Sequence, residues 1–123
     1  MIAPGAGTST TSAVFVAVAN LLDTTAIGGA SADLVVIVAQ THQNGSINTA
    51  TSLGIALDGG AVQGSQGTPS PATANAPFSI VSSALFPNVT PGAHTVQAFW
   101  MTAAGTLFAQ AGRQFMIVLE IRH

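Results

Sequence analysis

Seven side chains in the sequence have the acid–base chemistry that catalysis or metal binding would need. They are Asp23, Asp33, Asp58, Glu120, His42, His94 and His123. General acid–base catalysis requires such groups to be held together with matched pKa values. A turn at Asp58-Gly59-Gly60 and a loop around Asp23 instead favour carboxylates that bond local backbone. Glu120 and Arg122 are two residues apart on one strand, which predicts an ion pair on one side of a sheet.

The spacing of the remaining reactive groups does not form a known motif. The three histidines are too dispersed for a local metal site, and His42 begins a polar segment that predicts a loop. They could meet only through folding or at an oligomer axis, and a glycosidase-type carboxylate pair also stays open. The Gly-x-Ser-x-Gly elbow of serine hydrolases is absent, and there is no cysteine. The sequence therefore predicts no catalytic residues, no metal ligands and no cofactor; we expect a protein that is not an enzyme.

Composition excludes several kinds of partner. Only 5% of the 123 residues are charged, against about 25% in an ordinary soluble domain. Two arginines without any lysine cannot neutralise a phosphate backbone or form a basic membrane-surface patch. The longest apolar runs are far shorter than the ~18 residues that span a bilayer. We expect neither nucleic acid nor membrane as a partner, and the N-terminus lacks the pattern of a signal peptide.

A period of two dominates the sequence and predicts strands. In 114–122, Phe115 and the three alternate apolar residues that follow it share one face, which predicts a half-buried strand. Residues 53–57 alternate similarly, and Asp58-Gly59-Gly60 predicts a tight hairpin with a partner strand from about Ala61. Residues 12–20 and 33–41 are apolar on both faces, which favours strands covered by the opposite sheet and by something else, such as another subunit.

Further strands are predicted at 78–85, 93–101 and 106–110. Turns or loops are predicted at 64–77, 86–92, 103–105 and 111–112. About eight strands and no helical period indicate an all-β fold, a jelly-roll-like antiparallel β-sandwich. We expect one β-sandwich domain at 13–123 and an extended N-terminal arm at 1–12, which is either frayed or laid on a neighbouring chain.

The strand at 93–101 places large apolar groups on both of its faces. If Val96, Ala98 and Trp100 face the core, Phe99 and Met101 face outward, and either assignment leaves a large apolar group outside. A subunit interface explains this better than a sugar-binding platform. The candidate interface residues are Met1, Ile2, Ala3, Pro4, Phe99, Trp100 and Met101.

The scarcity of charge also points to self-association. Domains of this size normally remain apart through interspersed surface charges, and edge strands are protected by charged side chains. This chain has almost none of that protection. We expect a homo-oligomer, and threefold closure is a natural way to hide one face of a sandwich.

Three segments together carry a family resemblance: 53–60 with its Asp-Gly hairpin, 89–100 with Pro91-Gly92-Ala93-His94-Thr95-Val96 leading to Trp100, and 112–120. Over residues 53–122 the chain resembles small jelly-roll virion proteins of tailed bacteriophages. The resemblance implies trimers that decorate capsids or form head or tail fibre knobs, and it brings no catalytic residues.

The function implied is a trimeric capsid decoration protein that binds and stabilises a phage head shell. Its partners would be other copies of the chain and the major capsid protein or another virion protein. Its location would be the virion, after synthesis in the host cytoplasm. The alternative is a carbohydrate- or host-receptor-binding knob of a phage fibre, with the loop at 64–77 and an exposed Phe99 or Trp100 as its contacts.

Overall fold

The fold consists of two antiparallel sheets packed face to face. The computed structural model describes residues 8–123, apart from the side chains of Asn20 and Ala111. The strands of this part are β1 (Thr8–Thr10), β2 (Val16–Ile27), β3 (Ala32–Asn44), β4 (Ala50–Leu57), β5 (Gln63–Pro69), β6 (Phe78–Val89), β7 (Gly92–Thr102) and β8 (Leu107–Ile121). The first sheet has the order β1-β8-β3-β6 and the second the order β2-β7-β4-β5. The all-β, jelly-roll-like sandwich predicted from the sequence is confirmed.

Alternation along the strands builds the core between the sheets. Even-numbered residues of β3, such as Leu34 and Val36, point inward and are fully buried, and Trp100 of β7 faces them from the second sheet. This is the packing expected of aligned sheets, whose inner faces interdigitate. No helix within residues 8–123 is long and apolar enough to cross a membrane.

The segment predicted as a long loop at 64–77 is a strand over its first part. β5 pairs with β4, with Gly67 opposite Ser52, and the Ser82 hydroxyl of β6 donates a hydrogen bond to the Gly64 carbonyl. β5 thereby connects the two sheets at one side of the sandwich. The sequence of β5 is almost free of apolar side chains, so its pairing comes from tertiary hydrogen bonds and leaves no period to detect.

Two predicted turns lie partly or wholly within longer strands. The reversal predicted at 86–92 is confined to Thr90 and Pro91, between β6 and β7, and the turn predicted at 111–112 lies within β8. β6 continues through Pro87 to Val89 with a register shift against β3; Pro87 is tolerated because β6 is an edge strand, where a bulge relieves the missing donor. Gly112 does not reverse the chain. β8 pairs with β3 on both sides of it, through Gln114 and Ala109, and the residues between form a bulge.

Part of the predicted arm belongs to the sandwich. Thr8–Thr10 pairs with β8 at the edge of the first sheet, and the Ser12 carbonyl accepts a hydrogen bond from the Thr102 amide at 2.8 Å. Met1, Ile2, Ala3 and Pro4 lie outside the described residues. The loop predicted around Asp23 is also strand: Asp23 lies within β2, opposite Val96.

Candidate interaction surface

The outer side of the first sheet carries a block of apolar side chains, which we call the apolar face. It consists of three rows of directly opposed residues on β6, β3 and β8: Leu85–Val35–Leu119, Ser83–Ile37–Ile117 and Val81–Ala39–Phe115. Ser83 is the one polar side chain among them. Opposed residues on neighbouring antiparallel strands share a face, so the rows form one continuous surface.

This surface is open in the single chain. Val81 is 57% exposed, Leu85 54%, Leu119 49% and Phe115 37%, and Ile121 extends the surface beyond Leu119. Singly exposed apolar residues are ordinary, but a contiguous apolar patch of this kind marks an interaction site. The apolar face is thus the strongest candidate site in the described chain.

Charged groups stand at one end of the apolar face. Asp33 accepts a hydrogen bond from the Asn88 amide at 2.8 Å, and His123 Nε2 lies 3.2 Å from its carboxylate. The hydrogen bond from the backbone amide of Asn88 is the main cause that lowers the pKa of Asp33, and the contact with His123 is the next. The predicted ion pair is present, with Arg122 Nη2 2.6 Å from Glu120 Oε1, but it lies on the opposite side of β8 from the apolar face, because Glu120 is opposite the inward-facing Leu34. The other end is polar, with the Thr41 and Ser79 hydroxyls 3.1 Å apart.

The orientation of β8 is the reverse of what its pattern suggests. Phe115, Leu119 and Ile121 do share one face, but that face is the outer one. Gln114 and Met116 point into the core instead and are fully buried. Gln114 is accommodated there because the Gln40 amide donates to its Oε1 at 2.7 Å. The more apolar side of β8 therefore faces outward and is exposed in the single chain.

The outer side of the second sheet is less open. Phe99 and Met101 lie there, as the alternation of β7 predicts, and both are half-buried. Val62 lies over Gly54, leaving no room for a side chain at that position. The Gln97 amide donates to the Val18 and Leu21 carbonyls at 2.9 and 3.1 Å and so fills the bulge of β2.

Trp100 is the interface candidate whose side chain the structure hides. It is 1% exposed and packs in the core beside His42, with ring centroids 6.0 Å apart. An intermolecular contact through Trp100 would require the sandwich to open. Phe99 and Met101 are thus the two candidates, among those the structure describes, that still have exposed side-chain surface.

The histidines are in three unrelated surroundings. His42, predicted in a loop, is a buried residue of β3: its Nε2 donates to Gln40 Oε1 at 2.5 Å, and burial lowers its pKa to about 4. His94 of β7 contacts Asp58 in the turn between β4 and β5, and His123 contacts Asp33. Within residues 8–123 no group of three histidine or acidic side chains is placed to hold a metal ion.

No protein-family model matches this sequence, and no curated protein matches it. Solved structures do share its fold. A chain of infectious bursal disease virus, Gt strain, superposes with a TM-score of 0.56 and 10% identity, over 97% of this chain and 32% of that one. The VP2 subviral particle of the same virus gives 0.52 and 13% identity, over 98% and 35%.

The sugar-binding C-terminal domain of EclA gives a TM-score of 0.50 and 10% identity, over 97% of this chain and 81% of that domain. This chain spans about a third of the length of the two virus chains. At such low identities the likeness establishes the β-sandwich fold alone, because one fold carries many functions.

Proposed function

We propose that this chain is a virion structural protein, and specifically a trimeric decoration protein of a phage capsid that binds and stabilises the head shell. The observation that carries the proposal is the apolar face, an open surface with no charged residue among its nine positions. A protein with such a surface is better suited to a stable complex than to a monomeric state.

One finding supports this proposal: the fold is shared with the VP2 subviral particle of a virus. The phage-specific part rests on the resemblance expected from the sequence at the Asp58 hairpin, at His94 to Trp100 and at the terminal strand, which no family model or curated protein matches. Six of the seven acid–base side chains contact a neighbouring group, as Asp58 and His94 contact each other, and we assign these contacts to structure rather than to catalysis.

The mechanism proposed is mechanical. Each oligomer would bridge neighbouring shell subunits and bury apolar area worth about 25 cal/mol per Å². Phe99 and Met101, on the outer side of the second sheet, are the described residues we assign to contact with the shell. With so few charges in the chain, shell binding should be nearly independent of salt.

Co-sedimentation with shells tests the proposal. Purified protein is mixed with empty shells of the major capsid protein of the same virus, at low and at high salt. Phe99→Ser is compared with Ile47→Ser, a change at an exposed loop residue. We expect salt-independent binding that Phe99→Ser weakens and Ile47→Ser does not. Absence of binding, or a steep loss between low and high salt, would overturn the decoration function.

A role for the arm is tested by deleting residues 1–7 only, because residues 8–12 belong to the sandwich.

The alternative, a carbohydrate- or host-receptor-binding knob, is favoured by one observation, the fold shared with the sugar-binding domain of EclA. The contacts expected for it are less suitable than the sequence suggested, since Trp100 is buried and 63–69 is strand. A glycan array separates the two functions: a decoration protein should bind no glycan, and a specific glycan signal would favour the knob.

A further inference from the structure

We propose that copies of this chain contact one another through the apolar face, so that the occupant of this surface is another copy of the same chain. The inference deepens the proposed function, which includes an oligomer, and rests on it in that respect. It assigns self-association to the first sheet and leaves the outer side of the second sheet for the shell.

The size of the surface fits a contact between subunits. Val81, Leu85, Phe115, Leu119 and Ile121 are each roughly half exposed. At roughly 200 Å² for a large side chain, they offer on the order of 500 Å² per copy, before the half-buried residues of the rows are added. A standard interface buries about 800 Å² on each partner, with a lower limit of about 600 Å². The five side chains alone fall just short of this limit, and the partly exposed Val35, Ile37, Ala39 and Ile117 add to their area.

The charge pattern selects a partner of the same chemistry. The nine positions hold no acidic or basic residue, so a partner with a charged surface would lose hydration without gaining an ion pair. An equally uncharged surface is complementary, and the chain itself provides one. In a closed oligomer equal surfaces can be buried together about the symmetry axis.

The time at which the surface must be covered also favours another copy. A shell can cover the surface only after the shell has assembled, whereas an apolar face without charges promotes association as soon as the chain folds. Other copies of the same chain are available as soon as it is synthesised. The outer side of the second sheet is less prone to early association, because Val62 and Gln97 of the same chain already cover part of it.

Lysine substitutions test the surface directly. Light-scattering mass is measured for the wild type, for Leu119→Lys and Val81→Lys on the apolar face, and for Ile47→Lys as a control at an equally exposed apolar residue away from the face. We expect an oligomer for the wild type and for Ile47→Lys, and the mass of one chain for the two face variants. A single-chain wild type, or face variants that remain oligomeric, would overturn the inference.

A second measurement does not depend on the folding of a lysine variant. The chain has no cysteine, so Leu119→Cys, Val81→Cys and Ile47→Cys each carry one thiol, whose rate of alkylation follows its accessibility. Relative to its own rate in denaturant, we expect each face thiol to react at least about tenfold more slowly than the Ile47→Cys thiol. Equal relative rates would overturn the inference.

The two proposals fail in different ways. A wild-type oligomer that Leu119→Lys dissociates, but that binds neither shells nor any virion protein, would overturn the decoration function and leave this surface assignment intact. A wild-type oligomer that binds shells and is unchanged in mass by Leu119→Lys and Val81→Lys would overturn the surface assignment alone.

Discussion

Asp58, in the β4–β5 turn, and His94 of β7 make a side-chain contact of 2.7 Å between Asp58 Oδ2 and His94 Nδ1. The same carboxylate accepts the Thr95 amide at 2.8 Å, and His94 Nε2 lies 2.7 Å from the Thr90 carbonyl. With both ring nitrogens facing acceptors, the imidazolium form is favoured. The contact fixes the end of the hairpin to the second sheet.

We expect this contact to give a defined pH dependence. The Asp58 carboxylate, and then the Thr90 carbonyl, raise the pKa of His94 above 6.5, and His94, followed by the Thr95 amide, lowers the pKa of Asp58 below 3.8. The stabilisation from His94 is complete below pH 6.5 and is lost as pH rises through its raised pKa; that from Asp58 is complete above pH 3.8 and is lost in stronger acid. Both are present between these values.

Urea unfolding of the wild type and of His94→Gln, compared at each pH, isolates the effect of this one histidine. The difference in unfolding free energy should be largest near pH 5.5 and should shrink toward pH 8. In NMR titrations Asp58→Asn should move the pKa of His94 back toward its ordinary value. A pKa for His94 that is unchanged by Asp58→Asn would contradict the assignment of the shift.

We expect His42 to have the opposite effect from His94, lowering the stability of the protein in mild acid. Its ring lies between Trp100 and Phe78, and its Nδ1 has no hydrogen-bond partner. Burial lowers the pKa of His42 to about 4. Between this value and pH 6.5, His42 is therefore protonated in the unfolded chain and neutral in the folded chain. Between about pH 6.5 and 4 the wild type should lose about 3 kcal/mol relative to His42→Met. Parallel pH profiles for the two proteins would show that His42 is hydrated in the folded state.

The strand pattern predicted the sandwich because strands apolar on both faces, such as 33–41, are distinctive in any sequence. It could not tell which face of 114–122 points inward, since Phe115 and Met116 are both apolar and lie on opposite faces. Inside the core Gln40 donates a hydrogen bond to Gln114 Oε1, while Gln114 Nε2 has no partner. Such pairing between residues 74 apart in the chain is invisible to local periodicity.

Polar strands were missed for the same reason. His42, Gln43 and Asn44 suggest a loop by type, yet they alternate inward and outward as part of β3. Asn44 is satisfied in the core because its amide donates to the Thr102 hydroxyl at 2.9 Å. The candidate site was predicted in part: the sequence located an uncovered surface on 33–41 but placed its interface residues on β7 and the N-terminal segment.

Gly64 should be the least replaceable glycine of the β4–β5 region. Its φ is +61°, and a Cβ there would overlap the Ser83 carbonyl of β6. Gly59 has a similar φ of +71° but open space around it. We expect Gly59→Ala to cost about 1 kcal/mol for its backbone conformation and Gly64→Ala at least about 3 kcal/mol, because β5 must also move away from β6. Equal losses in chemical denaturation would mean that β5 does not approach β6 this closely.

Trp100 should report on the core and not on ligands. It is the one tryptophan of the chain, it is buried, and its ring lies 6.0 Å from that of His42. We expect blue-shifted emission that iodide hardly quenches in the folded protein and that shifts to longer wavelength in the same urea transition as the circular dichroism. Phe108→Trp, which adds a second indole at an exposed position of β8, supplies the matched control, and the part of its emission that comes from this second indole should be quenched before unfolding. Quenching of Trp100 in the folded wild type would place its ring on the surface and would restore it as a candidate contact for a partner or a sugar.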